Sequence, residues 1–185
     1  MDNTTLIVVV VAVVVVAAAV VLLLTRRRRT TVLRERFGPE YDRALTTTGR
    51  VSEAERILEE RQKRVAAFSL RELTPEEAEL FATSWKNVQA RFVDDPRTAV
   101  LEADRLIGEV MQARGYPLEE PAKRLEDLSV EHGRVIDHYR AGRAIVVRHE
   151  QGQASTEDLR QAMVHFRLLF EELTVRATTA VRRAS

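Results

Sequence analysis

Nineteen consecutive Leu, Ile, Val and Ala side chains, Leu6–Leu24, run into Thr25 and then four arginines, Arg26–Arg29. At about 1.5 Å per residue a helix of this run reaches about 28 Å, close to the roughly 30 Å hydrocarbon core of a bilayer. Its valines are poor helix formers in water, but lipid offers backbone groups no partner except one another, so a helix is the one single-segment solution. The sequence therefore predicts an N-terminal transmembrane helix over residues 1–25. A cleavable export signal would carry a basic leader and a small-residue cleavage site after a shorter apolar core. The leader here is Met1-Asp2-Asn3-Thr4-Thr5, and the only alanine cluster, Ala17–Ala19, is followed by more Val and Leu. The expectation is an uncleaved anchor.

The arginines set its orientation. Basic residues flanking a span stay on the cytoplasmic side, so the N-terminus is expected outside and the C-terminal domain in the cytoplasm. Arg26, Arg27, Arg28 and Arg29 are the candidate topology and lipid-headgroup residues. They also account for the apparent basicity. The net charge is +1 overall, yet 25 basic and 27 acidic residues remain once these four and Asp2 are set aside. A slightly acidic domain without a basic stripe is not expected to bind nucleic acid. The absence of cysteine removes disulfides, thiolate metal sites and cysteine nucleophiles.

After the anchor the pattern is helical throughout. A basic juxtamembrane segment and linker is expected over 26–50, with Leu33, Phe37, Tyr41 and Leu45 spaced four apart but interrupted by Gly38-Pro39. Phe37 and Tyr41 are expected to pack on the folded domain. Residues 51–185 read as a cytoplasmic bundle of about six helices. Ser52 and Glu55 match a capping box opening a helix to about Phe68, with Glu59/Lys63 and Glu60/Arg64 as i,i+4 pairs. Thr74-Pro75-Glu76-Glu77 opens the next, whose Phe81, Trp85, Val88 and Phe92 form one apolar stripe. Asp95 before Pro96 caps another, with Val100, Ala103, Ile107, Val110 and Met111 inward and Gly115 as its stop. A short helix from Pro121 to about Leu128, one from Glu131 to His149 capped by Ser129, and a last one capped by Ser155 or Thr156 complete the set.

Local chemistry is sparse. The seven glycines are isolated, so no phosphate loop or nucleophile elbow can be built from neighbouring residues. His132, His138, His149 and His165 have neither a carboxylate nor another histidine three or four positions away, which leaves only a site assembled across helices. Asp94-Asp95 is explained by capping. No catalytic residue, cofactor or metal site is expected. The densest polar and aromatic group, Glu131 to Arg140, places His138 and Tyr139 as pocket candidates, with Trp85 from the earlier stripe.

The segments "ARFVDDPRTAVLEADRLIGEVMQARGYP", "DLSVEHGRVIDHYRAG" and "STEDLRQAMVHFRLLFEEL", with "LRERFGPEYDRAL", resemble a group of uncharacterised single-span membrane proteins of actinobacterial type with a C-terminal helical domain. Gly133 stands where that group commonly has proline, and Gly142-Arg143 where an Ala-His pair is expected. The resemblance implies bacterial origin and this architecture, and it carries over no catalytic residue. The resulting expectation is a membrane-anchored interaction or scaffold module that binds a protein partner or itself, rather than an enzyme. The alternative is a small-molecule binder or enzyme with a pocket near His138 and Tyr139.

Overall fold

The computed structural model describes residues 3–117, 121–133 and 135–184, with side chains at 12–25, 27–117, 123–133 and 135–174. Among the described residues the chain is all-α, without a strand: α1 (Asn3–Phe37), α2 (Pro39–Thr48), α3 (Val51–Ala66), α4 (Pro75–Asp94), α5 (Pro96–Ala113), α6 (Pro121–Glu131), α7 (Ile136–Glu150) and α8 (Thr156–Ala184). Among them no helix holds a stretch long and apolar enough to cross a membrane; the side chains of 6–11, the first part of the apolar run, lie outside the described residues.

The interruption at Gly38-Pro39 is where α1 ends and α2 begins. Pro39 occupies the first position of α2, and Gly38 leaves helical geometry at φ 52° and ψ −128°. Leu33, Phe37, Tyr41 and Ala44 are buried, so the stretch from 33 to 44 packs into the folded body. They form one apolar core with Ala54, Leu58, Val65 and Val130. A larger core draws on α4–α8, and Phe68 and Leu70 pack against both.

Capping follows the sequence at three helices. The Thr74 hydroxyl accepts from the Glu77 N–H at 3.2 Å while Glu77 accepts from the Thr74 N–H at 2.9 Å. Hydrogen bonding by Arg71, then by the Thr74 N–H, holds the Glu77 carboxyl down at about 2. Asp95 accepts from the Thr98 N–H, and Ser155 exchanges bonds with Asp158 in the same reciprocal way as Thr74 and Glu77. The stripe of α4 and the inner face of α5 face the core as expected, with Trp85 stacked on Phe170 at 4.7 Å.

Three local expectations are overturned. Ser52 caps nothing: α3 starts after Arg50 without a side-chain cap bond, and Glu55 is buried against α1 and α2. There it accepts from the Thr30 hydroxyl at 2.6 Å and the Tyr41 hydroxyl at 3.3 Å, with Arg29 Nε at 3.4 Å. A buried carboxylate needs donors, and the neighbouring helices supply them where a helix terminus would have supplied one. Ser129 lies inside α6, buried, donating to the Glu126 carbonyl at 2.6 Å. The expected intrahelical pairs on α3 give way to other partners: Glu59 meets Arg29, Glu60 meets Arg56, and Arg64 meets Glu126 and Asp127.

Candidate functional site

The two cores meet along a polar seam. Arginines of α1–α3 face carboxylates of α6–α7. Arg36 donates to Glu131 at 2.6 Å, Arg43 to Asp137 at 3.0 Å, and Arg64 to Asp127 at 2.8 Å; Arg61 lies 3.4 Å from Glu126. One pair runs the other way. Glu40 of α2, whose side chain is 6% exposed, accepts from Arg61 at 3.0 Å and from Arg140 of α7 at 2.7 Å, with Arg43 at 3.5 Å. A lone buried carboxylate costs several kcal/mol, and three guanidinium groups offset that here. Glu40, Arg43, Arg61, Glu126 and Arg140 border a cleft of about 270 Å³ floored by Ala44, Ile57 and Leu125. Beside the seam, the turn after α6 presses on the end of α1. A Cβ at Gly133 would lie 2.9 Å from the carbonyl oxygens of both Arg36 and Phe37, so a side chain there requires the backbones to part.

A second polar group lies inside the larger core. Tyr139 is fully buried against Phe166, and its hydroxyl donates to Asp104 at 3.2 Å and faces Arg124 at 3.5 Å. Arg143 closes on the other Asp104 oxygen. Burial, then the Asp104 charge, pushes the phenol up to about 12, so it remains a hydrogen-bond donor across the physiological range. Asp104 and Arg124 also border an open groove of about 250 Å³ between α5 and α6, with Gly108 on its floor.

The histidines meet across helices. His138 of α7 and His165 of α8 bring their Nδ1 atoms to 3.2 Å, and burial followed by the proximity of His138 lowers the pKa of His165. His132 is buried with Nδ1 3.4 Å from Glu172. Among the described residues no three histidine or carboxylate side chains converge as a metal site.

No protein-family model, curated protein or solved structure matches this chain. The site is therefore read from its own geometry.

The three pocket candidates lie on two helices, Trp85 on α4 and His138 and Tyr139 on α7, and border none of the clefts described above. Trp85 is a core residue on Phe170, Tyr139 reaches solvent only through its partners Asp104 and Arg124, and His138 faces His165. Of the arginine cluster, Arg29 turns back to Glu55 and Glu59 while Arg27 and Arg28 are exposed; the Arg26 side chain lies outside the described residues. Sequence reasoning missed Glu40, Arg61, Asp104 and Arg124. The one available signal was the excess of charged residues on segments whose apolar spacing already demanded burial.

Proposed function

We propose that this chain is a single-pass membrane protein of a bacterial inner membrane. Its N-terminus lies outside, and a cytoplasmic helical bundle serves as a docking module for a protein partner or a second copy. One observation carries the reading: α1 is unbroken from Asn3 to Phe37, exposed and apolar over 12–24, and then built into the core at Leu33 and Phe37. Val13 is 62% exposed and Leu24 54%, and no other described residue covers them. An apolar helix surface of this length calls for lipid or for another protein. Leu33 follows Leu24 by nine residues, about 14 Å of helix, which sets the bundle against the headgroups. Arg27 and Arg28 are then free to meet anionic lipid, and the Arg29–Glu55 and Thr30–Glu55 contacts fix the bundle's angle to the shaft. The resemblance to actinobacterial single-span proteins agrees with this placement.

Two measurements test it. The full chain should stay with membranes through alkaline carbonate extraction, and a reporter fused after Ser185 should be active only in its cytoplasmic form. Release by carbonate, or periplasmic reporter activity, overturns the anchor or its orientation. Pull-down from solubilised membranes should enrich a partner or a second copy in proportion to an intact bundle. A lone monomer, with no enrichment over a variant of scrambled bundle surface, overturns the docking role.

The groove beside Asp104 and Arg124 favours a second reading, a small-molecule site coupled to Tyr139. A carboxylate and a guanidinium at its rim suit a zwitterionic or hydroxylated ligand. A thermal-shift screen of a metabolite panel on the full chain should then give a stabilising compound whose effect falls in Tyr139→Phe. No stabilising compound retires this reading.

A further inference from the structure

We propose that His138 and His165 form a two-histidine site for one imidazole-preferring divalent transition ion, of the Zn²⁺ and Co²⁺ class, which bridges α7 and α8. The two Nδ1 atoms stand 3.2 Å apart, with ring planes inclined by only 30°. Two imidazole nitrogens held at about 2.0–2.1 Å from one ion, at angles between 100° and tetrahedral, lie about 3.1–3.4 Å apart. The observed separation falls in that window without any movement of the helices. Both side chains are half-buried, so the ion is reachable from solvent and its helix-facing side is partly dry.

The surroundings decide the class of ion. Three and four positions from His138 the sequence has Arg134, Val135, Ala141 and Gly142, and from His165 only Gln161 is polar. Asp137, next in sequence, is turned to Arg43 and Arg140. Among the described residues no carboxylate completes the set, so a hard oxygen-seeking ion such as Mg²⁺ or Ca²⁺ is poorly held, whereas Zn²⁺ and Co²⁺ accept two nitrogens. The remaining coordination positions go to water, or to a donor brought by whatever docks on this face. Such a bridge ties α8 to α7 when the ion is present, which makes occupancy a control on the bundle's docking surface.

The competing arrangement is a plain hydrogen bond, with one Nδ1–H donating to the other Nδ1 lone pair. Metal titration separates the two. The full chain in detergent, purified without a polyhistidine tag, should bind one Co²⁺ with the intense visible bands of low-coordinate cobalt, and Zn²⁺ but not excess Mg²⁺ should displace it. His138→Ala and His165→Ala should each weaken binding by at least ~10-fold, the loss seen even when groups behind the ligands are removed. His149→Ala should leave it unchanged. His138→Gln, at a half-exposed position, serves as the variant that keeps the packing, and Trp85 fluorescence verifies that each variant is folded. Absence of cobalt bands at millimolar metal, or bands that persist in folded His138→Gln, overturns the proposal.

Discussion

Replacing Glu40 with alanine should destabilise the chain by about 3 kcal/mol, at the lower end of what breaking a buried ion pair costs. The carboxylate is the shared acceptor of Arg61 and Arg140, one from each side of the seam. Without it, among the described residues Arg61, 14% exposed, keeps the longer contact to Glu126, and Arg140 keeps Asp137 at 3.9 Å. The expected value is at the low end because Arg43 and Arg140 are partly exposed and can recover water. Glu40→Gln should cost less, since the amide oxygen still accepts one guanidinium bond. Denaturant unfolding followed through Trp85, the single tryptophan, reads the difference. A loss below about 1 kcal/mol in Glu40→Ala would mean that water replaces the carboxylate and that the two apolar cores carry the junction unaided.

The seam also bears on the proposed docking role. The α1–α3 unit is tied to the shaft through Glu55 and Leu33, and the α4–α8 unit is reached through Glu40, Arg36, Arg43 and Arg64. A tilt of α1 therefore meets the larger core through charged contacts that can exchange partners, as well as through the apolar contacts of Phe68, Leu70 and Val130. Paired Glu40→Ala and Arg140→Ala variants, with the double variant, give the coupling across the junction directly.

The helices were legible where a periodic signal and a terminal signal coincided. Trp85 and Val88 fall on a 3.6-residue period behind Thr74-Pro75, and both the stripe and the cap are found where expected. Asp95-Pro96 was readable for the same reason, and of the two candidates Ser155 and Thr156 it is Ser155 that caps, with Asp158 as its partner. Ser52 and Glu55 have the same spacing and a different outcome, because the capping-box pattern records residue type only. Whether the glutamate turns to its own helix end or to Thr30 and Tyr41 depends on helices that pack later. The seam was illegible for a similar reason. Its partners lie 62 to 100 positions apart, and in a chain this rich in arginine no single residue announces which carboxylate it meets. His138 and His165 each look isolated along their own helix, and only the packing of α7 on α8 brings them together. Phe37 and Tyr41 were readable as packing residues from their four-residue spacing, and both are buried.

Gly115→Ala should be the most damaging single methyl addition outside the apolar run, costing about 3 kcal/mol or more. Gly115 ends α5 at φ 90°, where its N–H donates to the Gln112 carbonyl at 2.9 Å and the Tyr116 N–H returns to Met111 at 3.0 Å. An alanine in that backbone region carries strain of about 1–3 kcal/mol by itself. The site adds a second cost: a Cβ here would sit 2.3 Å from the Ser69 carbonyl oxygen, a backbone atom with little room to yield. The 69–71 segment is pinned to the same turn, since the Arg71 N–H donates to the Arg114 carbonyl at 3.0 Å and Arg114 reaches the Leu173 carbonyl at 3.3 Å. Relief by moving either segment would also disturb Tyr116, buried edge-on against Phe68 at 6.5 Å. Gly152→Ala is the matched control: φ is 71° and nothing lies within 4 Å of its Cβ position, so only the backbone strain applies. The difference between the two variants in denaturant midpoint isolates the collision with Ser69. Equal losses at Gly115 and Gly152 would show that the 69–71 segment yields freely to the added methyl.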